Sequence, residues 1–244
     1  DSPDLLFELN DLIPILGNHP NAVKRVRDKM KFFQEIERLG IPHPETAMAE
    51  NLEEARREAK NIGYPVLVKP LRSFGGAGIR KAGGPEEIEQ AFRGASLLDG
   101  KALIQEYISG IAASASLISS TNGAITLTLN EQLLGMSEMG QREPFGYCGN
   151  VVPLQVNKAV ADRCKGIVER VASHFNLVGS NGIDFVISKE GVPYVVEVNP
   201  RFQGTLECVE RTLNVNIVKA HVEACVQGKL PIIEKNPSAF CVRL

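Results

Sequence analysis

Three polar side chains occupy alternate positions in the stretch YVVEVNPRFQG, residues 194–204. The valines predict a buried strand, yet the same stretch carries Glu197, Asn199 and Arg201. Because successive side chains of a strand point to opposite faces, residues two apart share one face. The stretch therefore predicts a carboxylate, an amide and a guanidinium directed to one side of a sheet.

A second carboxylate, Asp184, lies in the strand-like stretch GIDFVIS that comes before. A two-residue hairpin loop at Glu190-Gly191 would place Asp184 opposite Glu197, with about 5 Å between their Cβ atoms. Two carboxylates in an apolar setting are costly unless a cation neutralises them. Together with the amide of Asn199 they form an all-oxygen set that suits Mg²⁺. The alternative is a one-sided sheet whose carboxylates face solvent.

Arg201 continues the alternation just past Pro200. A guanidinium beside a metal-bound phosphate can bind a second anion in a bidentate fork and stabilise charge that develops during a reaction. The alternative interpretation is a surface arginine that follows the end of a strand.

A glycine-rich loop follows the apolar strand YPVLVKP, which contains Lys69. Gly75, Gly76 and Gly78 let the backbone approach a ligand closely and aim N–H groups at phosphate oxygens. No Gly-Lys-Ser/Thr closes the loop, as a P-loop requires, and a strand follows it where a dinucleotide-binding motif has a helix. We therefore predict a strand–loop–strand flap over phosphates, although glycine-rich turns without a ligand are also common.

Hydrophobic periodicity and turn residues predict an α+β chain, because helices and strands mix without a regular βαβ alternation. The stretch 136–150, MSEMGQREPFGYCGN, breaks every periodicity and is predicted to be a long functional loop. Helices are predicted at residues 22–39, 52–61, 85–94, 158–175, 206–213 and 215–227, and strands at 64–70, 79–82, 102–108, 112–119, 124–132, 182–188 and 192–199.

Composition excludes several classes of protein. A net charge of −2 over 244 residues gives no basis for a nucleic-acid or anionic-membrane partner. The five cysteines form no Cys-x-x-Cys pair, and together with four isolated histidines they offer no zinc spacing. Reduced thiols in a cytoplasmic protein are the expected state, and no apolar run is long enough to span a bilayer.

Five motifs in order resemble the ATP-grasp superfamily, which includes biotin carboxylase, carbamoyl-phosphate synthetase and many carboxylate–amine ligases. The motifs are RDK, YPVLVKP with SFGGAG, LIQEYISG, GIDFV and VVEVNPR, and the likeness runs from about Lys24 to about Ala220. The resemblance is greatest to an archaeal-type subgroup of carboligases. It implies two α+β lobes that sandwich ATP, and a preceding N-terminal α/β domain that we expect to be missing from this chain.

The resemblance also implies roles for individual residues. Lys29 and Lys69 contact ATP phosphates, although Lys29 on its own would be interpreted as a solvated helix lysine. Main-chain groups of Glu106 and Ile108 read adenine. Further implied roles are the mobile flap for Gly75, Gly76 and Gly78, the metal ligands for Asp184, Glu197 and Asn199, and stabilisation of the acyl-phosphate step for Arg201.

At two positions this chain departs from the family pattern, and each departure affects what the resemblance implies about its contacts or its reaction. Many relatives place a glutamate for the ribose hydroxyls where this chain has GIAASAS, so the ribose contacts stay open. Biotin carboxylases place a glutamate base two residues after the glutamine equivalent to Gln203, where this chain has Thr205, with Glu207 nearby. Biotin carboxylation is therefore disfavoured.

The resulting hypothesis is an ATP-dependent ligase that uses ATP and Mg²⁺. It would activate a small-molecule carboxylate as an acyl-phosphate for attack by an amine-type acceptor, and a homodimer is compatible with it. The loop 136–150, including Tyr147 and Asn150, is the expected acceptor site, and a disordered surface loop is the alternative interpretation. A small-molecule kinase and a non-catalytic ATP-binding module are the alternatives. The predicted parts are a linker with a lead-in helix at 1–43, a small lobe with the flap at 44–108 and a large lobe with the metal site at 109–244.

Overall fold

The computed structural model describes residues 2–233 and 239–244, which fold into helices and two mainly antiparallel sheets. The α+β fold predicted from the sequence is confirmed. The chain divides into two compact units. The larger contains the residues up to 42, residues 110–132 and the described residues from 150 onward, and the smaller contains residues 43–109 and 133–149. The lobe limits proposed from the sequence stay a prediction.

Eight α-helices are present in the described part of the chain, and most begin at a side chain that caps their first N–H groups. They are α1 (Pro3–Leu12), α2 (Pro20–Arg27), α3 (Lys29–Arg38), α4 (Leu52–Ile62), α5 (Ile88–Ala95), α6 (Lys158–His174), α7 (Leu206–Leu213) and α8 (Ile217–Gln227). The predicted cap Asn157 accepts a hydrogen bond from the N–H of Val160 at the start of α6.

The single helix predicted at residues 22–39 is wrong, because the chain breaks at Asp28 and forms α2 and α3. Asp28 has extended backbone angles, and its side chain accepts a hydrogen bond from the N–H of Lys31. An aspartate in this conformation caps a new helix, so Lys29 becomes the first residue of α3. The predicted cap Asn21 lies inside α2, which His19 caps instead.

The smaller unit is built on a four-stranded antiparallel sheet with the order β1-β4-β2-β3. Its strands are β1 (Thr46–Ala49), β2 (Val66–Pro70), β3 (Arg80–Ala82) and β4 (Ala102–Glu106). Helices α4 and α5 cover one face of this sheet, and the small side chains of Ala55, Ala59 and Ala91 are buried against it.

The larger unit contains most of a six-stranded sheet with the order β10-β7-β6-β5-β8-β9. Its strands are β5 (Gly110–Ser120), β6 (Gly123–Leu134), β7 (Tyr147–Val152), β8 (Gly179–Ser188), β9 (Pro193–Asn199) and β10 (Cys241–Arg243). One apolar cluster joins this sheet to α2, α3 and α6, and a second joins it to α7 and α8.

The structure also differs from the sequence prediction in the irregular stretch and in three elements that had no prediction. The segment 136–150 is not a loop throughout, because it contains a 3-10 turn at Ser137–Met139 and ends in β7. The elements α1, β1 and β10 were not predicted from the sequence.

No helix among residues 2–233 and 239–244 is long and apolar enough to cross a membrane.

Candidate active site

Strands β8 and β9 form a hairpin that places Asp184 directly opposite Glu197, as predicted. The predicted two-residue loop is nevertheless wrong. Ser188 pairs with Val192 through the Val192 carbonyl, and Gly191, at φ +73°, ends a three-residue loop. The extra loop residue moves the pairing by one position.

A β-bulge restores the predicted pairing before it reaches the carboxylates. Phe185 pairs with Val195, Asp184 pairs with Glu197, and Val196 is therefore the extra residue in β9. The bulge also resets the alternation along the strand, so Val195 and Val198 are both buried in the core. Glu197 thereby belongs to the face opposite that core.

Asp184 is partly buried and held by two side-chain amides. Nδ2 of Asn199 donates to Oδ2 at 3.0 Å, and Nε2 of Gln132 donates to Oδ1 at 3.2 Å. Burial and the negative charge of Glu197 raise the pKa of Asp184 to about 7, although both amide hydrogen bonds oppose this shift. This shift shows that the ionised form of Asp184 is costly here unless a positive charge lies close to it.

Glu197 is the more exposed of the two carboxylates and lies against basic side chains. Nζ of Lys29 is 2.7 Å from its Oε1, and a guanidinium nitrogen of Arg27 is 3.7 Å from the same oxygen. The break at Asp28 produces this contact, because it makes Lys29 the first residue of α3. Lys29 thus belongs to the carboxylate cluster.

Arg201 lies where β9 ends, next to Asn199. One guanidinium nitrogen is 3.5 Å from Oδ1 of Asn199, and another donates to the carbonyl of Phe202 at 3.0 Å. The Arg201 N–H donates to the Asn199 carbonyl at 2.9 Å, which turns the chain back at this point. The structure therefore brings together Lys29, Asp184, Glu197, Asn199 and Arg201, five of the predicted site residues.

A row of polar side chains beside this cluster was not identified from the sequence. Ser114 of β5 is paired with Asp184 on one side and with Asn130 of β6 on the other. The amide of Asn130, which is fully buried, donates to the hydroxyls of Ser114 and Ser116 at 3.2 and 3.0 Å. Alternation in the predicted strand 124–132 would have placed Asn130 and Gln132 on one face, and that was the signal available.

The glycine loop of the smaller unit has the conformation that its composition predicts. Gly75, Gly76 and Gly78 all have positive φ, between +59° and +79°. A Cβ on Gly76 would lie 1.9 Å from the carbonyl oxygen of Phe145, so no larger residue fits there without movement. The carbonyl of Gly75 accepts a hydrogen bond from Tyr147 N at 2.9 Å, which ties the loop to segment 133–149.

The other predicted ATP contacts also belong to the smaller unit. Lys69 lies in β2 opposite Leu103. The N–H of Glu106 donates to the carbonyl of Glu45 at 2.8 Å, so a main-chain contact from Glu106 to a ligand would use its carbonyl oxygen. Ile108 follows β4 by two residues.

Three other residues singled out in the sequence have protein partners. Thr205 is buried, and its hydroxyl lies 3.0 Å from that of Ser116. Glu207 forms an ion pair with Arg211 within α7. Asn150 is buried in β7 and donates from its amide to the Glu131 carbonyl at 3.1 Å.

The donor chemistry of the cluster fits a hard divalent cation. Asp184, Glu197 and Asn199 offer only oxygen ligands, the type that Mg²⁺ and Ca²⁺ prefer. A cation there would remove the repulsion that raises the pKa of Asp184. The described residues contain no group of three or more His, Cys, Asp or Glu side chains placed to hold a metal, so the amide of Asn199 would have to supply the third ligand.

Comparison with known families identifies the class of this protein. The ATP-grasp domain family matches residues 26–205, most of the chain. The chain therefore belongs to the ATP-grasp family, and the resemblance seen in the sequence motifs is confirmed.

Individual relatives agree with this membership. The chain is 27% identical over 223 residues to the carbamoyl phosphate synthase large chain of Pyrococcus furiosus, covering 90% of this chain and 20% of that one. Its fold is similar to biotin carboxylase from Campylobacter jejuni, with a TM-score of 0.84 and 20% identity over 96% of this chain and 53% of that one. It is also similar to the biotin carboxylase domain of 2-oxoglutarate carboxylase from Hydrogenobacter thermophilus, with a TM-score of 0.81 and 23% identity over 94% of this chain and 52% of that one.

These matches cover only part of each relative, which limits what they imply about the activity of this chain. The chain spans about a fifth of the carbamoyl phosphate synthase large chain and about half of either carboxylase chain. The two structures show the shared fold, and the activity of this chain has to be argued from its own residues.

Proposed function

We propose that this chain is the nucleotide-binding and catalytic part of an ATP-dependent ligase that joins a carboxylate to an amine or a similar nucleophile. The observation that carries the proposal is the cluster at the end of the β8–β9 hairpin, where Asp184 opposes Glu197 and Asn199 and Arg201 follow on. Membership of the ATP-grasp family supports it, as do curated relatives that are carbamoyl phosphate synthases.

In this proposal Asp184, Glu197 and Asn199 hold Mg²⁺. The ion would neutralise phosphate charge when bound. The chain's own contribution is to keep the three oxygen ligands in place. Gln132 and Asn199 orient the Asp184 carboxylate, and the bulge at Val196 keeps Glu197 on the same face.

Lys29 and Lys69 are the proposed phosphate contacts, and the loop of Gly75, Gly76 and Gly78 is the proposed flap. The positive φ angles of the glycines support this, because such turns direct N–H groups to a concave side that suits an anion. The carbonyl of Glu106 and the N–H of Ile108 are the proposed adenine contacts.

The proposed reaction has two steps. A carboxylate oxygen of the substrate attacks the γ-phosphorus of ATP, the bond to the bridging oxygen breaks, and an acyl-phosphate and ADP result. The amine nitrogen then attacks the acyl carbon, phosphate leaves, and the nitrogen loses a proton. Arg201 is proposed to stabilise the charge that develops on the transferred phosphoryl group and on the acyl oxygen.

The acceptor region and the setting of the enzyme complete the proposal. Tyr147 remains a proposed acceptor contact. The amide of Asn150 already donates one hydrogen to the Glu131 carbonyl, so Asn150 would contact a substrate through its oxygen or its second amide hydrogen. A cytoplasmic location agrees with five cysteines that are all thiols. A homodimer agrees with the Hydrogenobacter thermophilus carboxylase domain, which is described as a dimer.

Trapping of the acyl-phosphate tests this function. The protein would be incubated with Mg²⁺, ATP and a panel of small carboxylates, with hydroxylamine as the nucleophile. The expected result is carboxylate-dependent formation of ADP, phosphate and a hydroxamate in equal amounts. ADP formation that accompanies a stable phosphate ester, or that does not depend on any carboxylate, would contradict the proposal.

A further inference from the structure

Two cysteines of the larger unit lie in contact, although the sequence places them far apart. Sγ of Cys208 and Sγ of Cys241 are 2.8 Å apart across a sequence separation of 33 residues. Cys208 is buried in α7, and Cys241 is the partly exposed first residue of β10. A disulfide bond is about 2.05 Å long, so only a small movement separates these thiols from a covalent bond.

The surroundings of the pair connect it with the candidate active site. Strand β10 pairs with β7, and the guanidinium of Arg243 donates to the carbonyl of Gly204. Gly204 lies in the turn that begins at Arg201 and leads into α7. Cys208 therefore follows this turn by one helical turn, and β10 holds it from the other side.

We propose that Cys208 and Cys241 form a reversible disulfide, which fastens the C-terminal strand to helix α7 beside the turn that carries Arg201. The oxidant is a low-molecular-weight disulfide such as oxidised glutathione. The thiolate of Cys241, the more accessible sulfur, attacks one sulfur of the oxidant and releases one thiolate. The thiolate of Cys208 then attacks Sγ of Cys241, which forms the protein disulfide and releases the second thiolate.

The balance and the order of events follow from the two environments. The protein loses two electrons and two protons, and the oxidant becomes two thiols. Burial and the hydrogen bond with Cys241 raise the pKa of the Cys208 thiol, so the partly exposed Cys241 is the thiol that meets the oxidant first. The bond closes a loop of more than 30 residues, so it restricts the unfolded chain and stabilises the folded one.

Thiol counting by mass spectrometry tests the proposal. The full chain is incubated with oxidised glutathione, unreacted thiols are alkylated in denaturant so that the buried Cys164 and Cys208 are reached, and the intact mass is compared with that of protein kept in dithiothreitol. All five cysteines are alkylated in the reduced protein, and three are expected after oxidation, since two of the five are in the disulfide. Proteolytic peptides should join Cys208 to Cys241, dithiothreitol should restore all five labels, and the oxidised form should melt on the order of 5–10 °C higher.

Two variants distinguish a specific Cys208–Cys241 disulfide from general oxidation of the thiols. Cys241→Ser changes a partly exposed position and should abolish both the linked peptide and the rise in melting temperature. Cys225→Ser changes another partly exposed cysteine, outside the pair, and should retain both. Five labels after oxidation, a lasting glutathione adduct on Cys241, or a linkage to a different cysteine would each overturn the proposal.

Discussion

Asp184 lies directly opposite Glu197 even though the loop that joins their strands has three residues rather than two. The bulge at Val196 compensates for the extra loop residue, and it does so between the core pair Phe185–Val195 and the carboxylate pair. A bulge commonly re-aims side chains next to a functional site. Here the strand directs Val195 into the core before the bulge, and it directs Glu197 to the opposite face after the bulge.

The second defining contact of the site is the ion pair between Lys29 and Glu197, at 2.7 Å. It gives the partly exposed carboxylate of Glu197 a positive partner, whereas the hydrogen bonds to Asp184 from Gln132 and Asn199 come from neutral amides. In the proposed function Lys29 also contacts ATP phosphate, so it would share its charge between Glu197 and the nucleotide.

Replacing Lys29 with methionine should therefore lower the catalytic efficiency with ATP. We expect kcat/KM for ATP to fall roughly 10- to 100-fold, because a charged donor to phosphate and to Glu197 is lost while the side chain keeps its length. Steady-state kinetics of ADP release measure this. Lys31→Met is the matched control. Lys31 lies two residues further along α3, its side chain is 73% exposed, and it pairs with Asp28. Equal losses in the two variants would contradict the role of Lys29.

Replacing Gly76 with alanine should disturb the proposed flap. The new Cβ would collide with the Phe145 carbonyl at 1.9 Å, so the loop or segment 133–149 has to move. We expect KM for ATP to rise about 10-fold, because phosphate contacts depend on the placement of this loop.

Gly100→Ala is the control for the Gly76 variant. Gly100 also has positive φ, at +68°, but nothing lies within 4 Å of its Cβ position. Both variants should lose about 1 kcal/mol of stability from the left-handed backbone, and only Gly76→Ala should change KM. An unchanged KM in Gly76→Ala would argue against the flap.

The ion pairs of Glu35 predict a pH-dependent part of the stability. Glu35 accepts hydrogen bonds from Arg25 and from His174, the latter at 2.7 Å. Although burial opposes the shift, these two partners lower the pKa of Glu35 below its ordinary value of 4.5. A lowered pKa in the folded state stabilises the protein above the unfolded-state pKa, and this stabilisation disappears as the pH falls through the folded-state pKa.

Glu35→Gln should accordingly destabilise the protein near neutral pH and much less in acid. We expect a melting temperature about 2–4 °C lower at pH 7, equivalent to about 1 kcal/mol, and a gap that closes as the pH falls through the lowered pKa of Glu35. Thermal melts across this pH range measure it. Glu53→Gln should show little change at any pH, because the Glu53 side chain is 82% exposed where it pairs with Arg56. A gap of constant size would contradict the electrostatic origin.

Much of the fold could be predicted from local patterns. Helix α6 with its Asn157 cap, helix α7, and the strands on both sides of the β8–β9 turn all follow from periodicity and capping residues, which act over a few neighbouring positions. The carboxylate pairing was also predicted, although through a loop of the wrong length, because the bulge at Val196 has no signal in the sequence.

The rest depends on contacts between distant parts of the chain. Asp28 looks like any helix residue until its cap of α3 is seen, and that cap brings Lys29 to Glu197, 168 residues away. Gln132 and Asn130 join the site only because β5 and β6 pair beside β8. Sequence spacing does not encode such long-range pairing, so the neighbours of the site became visible only in the structure.

In the proposed function Glu197, together with Asp184 and Asn199, holds the magnesium needed for ATP turnover. Glu197→Gln is nearly isosteric and replaces a carboxylate that is 31% exposed, so it should leave the fold and the melting temperature close to those of the natural protein. Glu190→Gln, in the loop of the same hairpin, is the control.

The most direct measurement is magnesium-dependent ADP formation by the natural protein and these two variants at equal concentration. We expect a loss of at least about 100-fold in Glu197→Gln and a change of less than about 2-fold in Glu190→Gln. Turnover retained in folded Glu197→Gln would contradict this expectation.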